Sequence, residues 1–128
     1  MSGIEITPIR AAGVNLIRSY GDGGFTIGTE THHNGSVIVF AKSTVDWTPK
    51  TVEMITIKSL NPVLNSPDPI DILVLGCGRI QLTPPKELRD GLREYGIVLE
   101  WMNTGAACRT FNVLLGEERR VASALIAV

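Results

Sequence analysis

Cysteine is scarce in this chain of 128 residues: Cys77 and Cys108 are the only two, and they form no C-x-x-C pair. That excludes a secreted disulfide framework and points to a reducing, intracellular setting. Histidine is as scarce, with only His32 and His33. Neighbours on a strand point to opposite faces and cannot chelate one ion together, so no metal-ligand set is expected. Aromatic residues make up 5%, and neither sign of charge dominates, with 12 Lys plus Arg against 13 Asp plus Glu and a net charge of -1. No global field exists to hold nucleic acid or an anionic membrane. No apolar run approaches the roughly 20 residues that span a bilayer. Met1 to Arg18 lacks the basic start and unbroken apolar core of a secretory signal. These features describe a soluble cytoplasmic protein without a membrane span.

Catalytic signatures are thin as well. Gly76-Cys77-Gly78 follows an apolar run, but the third glycine of a dinucleotide fingerprint would fall at Gln81, and no lysine stands where a phosphate loop needs one. There is no G-x-S-x-G, and the two histidines are poorly placed to serve a thiol or a serine as base. Paired carboxylates lack a visible setting. The expectation is a chain without cofactor, metal or catalytic residues.

What is present is material for a core. Hydrophobic residues make up 44% and charged residues 20%, enough for one domain over 1–128, with an arm over about 1–12 that is poorly ordered. A chain of this length buries roughly two-thirds of its unfolded surface and needs no covalent staple.

The first half reads as strands. Val14 to Tyr20 leads into Gly21-Asp22-Gly23-Gly24, and Phe25 to Thr29 resumes an extended pattern. Asn34-Gly35 before Ser36 to Phe40 predicts a type I′ hairpin, because that turn needs positive φ twice. The result is an N-terminal antiparallel β-meander, with Val45 to Thr48 as a further strand stopped by Pro49. Thr56 can cap a short helix over Lys58 to Leu64.

The second half changes rhythm. Ile70 to Leu75 is nearly continuously apolar and fits a strand covered on both faces. Thr83 before Pro84-Pro85 predicts a helix start, Leu88, Leu92 and Tyr95 recur at helical spacing, and Gly96 closes the helix. Ile97 to Trp101 is the next strand, and the set is a right-handed βαβ unit. Asn103 or Thr104 can cap a second helix whose inner face is Ala107, Phe111, Leu114 and Leu115. Arg120 to Ile126 is compatible with more helix or a last strand; its β-branched ends and Gly116 favour strand.

In a parallel pair the strand ends near Gly76 and Met102 share one edge, where ligands of open α/β sheets bind. The second helix starts there, with amides that favour an anion. Gly76, Gly78, Arg79, Thr104 and Arg109 are therefore a candidate anion or small-molecule notch. Cys108, in the first turn, is either a reactive thiol or core.

The run Met102, Thr104, Ala106, Ala107, Cys108, Arg109, Thr110, Phe111, Asn112, Val113, Leu114, followed by Glu117, Arg119, Val121 and Ala122, resembles a family of small α/β proteins of unassigned biochemical function. That family includes the mitochondrial respiratory complex I assembly factor three and the adipogenesis-associated protein. Leu73-Val74-Leu75-Gly76-Cys77-Gly78 and Val45-Asp46-Trp47 fit the same family, and the likeness spans roughly Phe25 to Ile126. Phe111 stands where the family has tyrosine, and Cys77 where threonine is common, so a Cys77–Cys108 redox pair would be private to this chain. The resemblance implies a layered α/β fold with a central mixed sheet whose last strand is antiparallel. It implies a non-catalytic interaction module doing assembly work, with respiratory or translocase components as protein partners. It also implies association with the inner membrane through those partners, mitochondrial in eukaryotic relatives.

Overall fold

The computed structural model describes residues 3–5, 15–29, 31–80 and 83–128. Strands β1 (Ile4–Glu5), β2 (Ile17–Gly21), β3 (Gly24–Ile27) and β4 (Thr31–Asn34) form a small sheet in the order β1-β2-β3-β4, with every pairing antiparallel. Strands β5 (Val37–Val39), β6 (Thr44–Asp46), β7 (Ile72–Gly76), β8 (Val98–Met102) and β9 (Val121–Leu125) form a five-stranded sheet in the order β6-β5-β9-β7-β8. The helices are α1 (Asn61–Leu64), α2 (Lys86–Arg93) and α3 (Thr104–Gly116). The expected α/β fold, meander and mixed sheet are all present. Of the N-terminal arm, residues 1–2 and 6–12 lie outside the described residues, as does Val14 at the head of the expected first strand.

The meander turns where φ is positive at two successive residues. Asp22 (φ 50°) and Gly23 (φ 76°) link β2 to β3, the geometry of a type I′ turn. The hairpin expected at Asn34-Gly35 is not formed. Gly35 does take φ 83°, but Asn34 ends β4 opposite Gly24, and β5 belongs to the other sheet. The left-handed residue redirects the chain between sheets, and the Gly35 N–H donates to the Gly23 carbonyl at 2.7 Å. His32 and His33 lie on β4, where the His32 ring is exposed and meets Asn34 Oδ1 at 3.0 Å.

β7 is buried on both faces because neighbours cover both. Leu73, Leu75 and Cys77 enter one hydrophobic cluster with Ile38, Leu88, Leu92 and Trp101. Val74 enters the other, with Phe25, Phe111 and Leu125. The sheet is mixed as the resemblance implied, but its last strand β9 runs parallel to β7 rather than against the βαβ pair, and the antiparallel partner is β5 on its other side, because the chain returns to that edge from α3. The small Ala122, Ser123 and Ala124 of β9 are fully buried, which lets helices approach on either side. The Ser123 hydroxyl is satisfied by donating to the Val74 carbonyl at 2.9 Å. The large sheet is thus the middle layer, with α2 and α1 on one face and α3 with the small sheet on the other.

Helix α2 differs from its sequence pattern at both ends. α2 starts at Lys86 with Pro85 as its N-cap, so Thr83 is not the cap. Two successive prolines fix φ but carry no hydroxyl, and Pro85 takes the extended ψ of 134° that an N-cap needs. Tyr95 is 57% exposed rather than core, because the chain has left the helix at Glu94; Gly96, at φ 74°, completes the stop. Thr56 is not the N-cap of the helical turn Lys58–Leu60, which is Ile57, but its hydroxyl accepts from the Ser59 N–H at 3.1 Å one residue earlier in the chain than a cap.

Candidate functional site

β7 and β8 are parallel in register, with Gly76 opposite Met102, so their ends share one edge of the sheet and α3 opens over the glycine elbow. The elbow and the helix are locked together. Thr104 donates its N–H to the Gly78 carbonyl at 2.8 Å, and its hydroxyl accepts from the Gly78 N–H at 3.0 Å. The same hydroxyl donates to the Ile126 carbonyl at 2.8 Å, while the Ile126 N–H returns to the Gly76 carbonyl at 2.9 Å. Thr104 is fully buried by these contacts. Gly76 is required for the approach: a Cβ there would stand 2.9 Å from Thr104 Cα, inside contact distance.

Asn103 is the N-cap of α3, its side chain accepting from the Ala106 N–H at 2.9 Å. The Ala107 N–H donates to the Asn103 carbonyl. Three amides at the start of α3, those of Thr104, Ala106 and Ala107, are therefore donating within the chain.

Above this lock lies a shallow depression of about 200 Å³ lined by Tyr20, Gly78, Arg79, Asn103, Gly105 and Val128. Of the residues singled out from sequence, Gly78 and Arg79 reach it. Gly76 and Thr104 lie buried beneath. Arg109 is exposed and reaches back to donate to the Tyr20 hydroxyl at 3.4 Å. Tyr20 itself comes from β2 and closes on Gly105, where a Cβ would meet its hydroxyl at 2.6 Å. No local signal in the sequence links residues so far apart.

Cys108 points away from the depression into the cluster that holds Phe111 and Val74. Burial pushes its thiol up to about 12, outweighing the nearby Arg109 guanidinium and a backbone hydrogen bond that both favour thiolate. Cys77 lies in the cluster on the opposite face of the sheet, and both cysteines are free. Both thiols are buried in the core, and that of Cys108 is held protonated.

Asn112, which the sequence marks only as part of a motif, has the most specific contacts of the set. Its Oδ1 accepts from the Ile17 N–H and its Nδ2 donates to the Ile17 carbonyl, each at 2.9 Å and buried. Thr110 Oγ1 meets Met102 Sδ at 3.3 Å. The motif from Met102 to Asn112 is thus a set of joints: Thr104 ties α3 to the elbow and to the end of β9, and Asn112 ties α3 to the small sheet. Among the described residues every buried polar side-chain atom has a partner, and no helix is long and apolar enough to cross a membrane.

The fold and these joints define a small two-sheet α/β protein whose signature residues act on its own backbone. Residues 17–126 match the family described as "Protein of unknown function (DUF498/DUF598)", and the chain belongs to that family. It is similar to the Drosophila melanogaster protein named NADH dehydrogenase (ubiquinone) 1 alpha subcomplex assembly factor 3, at 33% identity over 87% of this chain. The chain spans 58% of that relative's length. Among solved structures it resembles one from Bartonella henselae described as an outer membrane protein, with 40% identity, a TM-score of 0.78 and coverage of 93% of this chain and 99% of that one. A Bordetella parapertussis protein superimposes with a TM-score of 0.82 at 28% identity, covering 93% of this chain and 100% of the other.

Proposed function

We propose that this protein is a non-catalytic interaction module that assists the assembly of a larger complex, with subunits of a respiratory or translocase complex as its partners. The observation that carries the reading is the fate of the motif's polar side chains. Thr104, Asn103 and Asn112 are each committed to the chain's own backbone, so the signature builds a shape rather than a reaction centre. A shape is what a binding partner reads, and the name of the Drosophila relative supplies the kind of work. On this reading the protein acts in the cytoplasm and meets the inner membrane through its partners.

The test is co-purification of the full chain, tagged, from native membranes, with quantitative mass spectrometry. Enrichment of defined respiratory or translocase subunits is the expected result. A lone monomer whose melting point rises with a metabolite would overturn the assignment, because stabilisation by a small ligand is the mark of a binding site for it.

A further inference from the structure

A second opening lies at the other pole, where β7 and β9 begin. It is a cleft of about 600 Å³, against about 200 Å³ for the depression over α3. Phe40, Ile70 and Val121 form its apolar floor, and Pro62, Pro67 and Pro69 stiffen one wall. Lys42, Arg119 and Arg120 stand around it, and Asp68 is the one acidic residue of the lining among the described residues. Arg120 pairs with Asp71 at 2.8 Å, both well exposed, so that pair is weakly held. Lys42 and Arg119 make no ion pair among the described residues. A molecule of net charge -1 therefore gathers three of its cations around one apolar hollow.

We propose that this cleft receives an extended segment of the partner protein that carries an apolar side chain flanked by carboxylates. The inference rests on the interaction-module reading and names the surface it uses. Three features select this occupant. The apolar floor rewards burial of one or two side chains. The cationic rim complements carboxylates and repels basic segments. β6, the outer strand of the large sheet, contributes Val45 to the lining, so the hollow adjoins a strand edge that can accept extended backbone. The proline wall is rigid before binding, which lowers the entropic cost of docking.

The experiment places a photo-crosslinking amino acid at Ser43 or Ser66 on the cleft, and at Val113 on the exposed side of α3 as control, in the full chain in its own cell. Adducts are expected from the first two positions, and the captured segment should carry an apolar residue with Asp or Glu beside it. A synthetic peptide of that segment should bind the purified chain, and Lys42→Glu with Arg119→Glu should weaken it by about tenfold or more and flatten its salt dependence. Adducts from Val113 alone, a captured segment without acidic residues, an affinity unchanged by charge reversal, or a bound apolar acid in native mass spectrometry each overturn the proposal. If the wild-type chain recovers subunits while the cleft positions give no adduct, this inference alone fails. If it recovers none, the interaction-module reading fails first.

Discussion

The Asn112 carboxamide supplies to Ile17 the donor and the acceptor that a neighbouring strand would supply, across 95 residues of sequence. Among the described residues β1 pairs with Ser19 and Tyr20, and this side chain bonds the same strand β2 further along, at Ile17. Asn112→Ala leaves two buried backbone groups unpaired, and a loss of about 3 kcal/mol is expected in urea denaturation. Asn112→Asp keeps the acceptor, loses the donor and buries a charge, so it should rescue little; wild-type stability in either variant would contradict the joint. Cys108 supplies a second residue-scale prediction. Its thiol, ordinarily near 9.0, is held up at about 12 in the fold. Between those values the unfolded chain sheds a proton that the folded chain keeps, so stability that is complete below pH 9 falls as pH rises through the window. Cys108→Ala should flatten that part of the urea midpoint against pH, and equal slopes in the two proteins would refute the assignment.

At the scale of elements, the end of α3 is built under strain. Arg119 N–H donates to the Leu114 carbonyl and Glu118 N–H to the Leu115 carbonyl, the pair of bonds that closes a helix through a left-handed residue. That residue is Glu118, at φ 61°, where glycine is the ordinary choice. Glu118→Gly should raise stability by about 1 kcal/mol, whereas Glu118→Ala should not, which separates conformational relief from loss of charge. The start of α3 was legible in the sequence, because Asn103 is a strong cap and the apolar period follows it directly. So was the parallel pairing that brings Gly76 under Thr104. The strand exchange at Asn34-Gly35 was not. That dipeptide announces a left-handed residue but not which strands pair across it. Thr31 to Asn34 is polar and fits an exposed strand, while Val37 to Val39 is apolar on both faces and is drawn into the large sheet. The cationic cleft was also hidden, since its lining comes from three separate stretches of chain that share no spacing.

On the scale of the whole molecule, two hydrophobic clusters share one sheet. β5 gives Ile38 to one and Val37 and Val39 to the other, so neither cluster can loosen while the other stays packed. Phe111→Ala in the cluster beneath α3 should cost about 3–5 kcal/mol. Trp47 and Trp101 sit in the opposite cluster, yet their fluorescence should report the same lowered, single transition as far-ultraviolet circular dichroism. Two separated transitions would show that the layers melt independently. The placement of β9 carries the further consequence. β5 and β7 meet only through it, although it follows both in the chain. A nascent polypeptide leaving the ribosome can close its early hairpins at once, but the mixed sheet must wait for a strand made some eighty residues after β5. Until then apolar faces on both sides stay open to chaperones, and a ribosome stalled before Val121 would hold an unfinished fold.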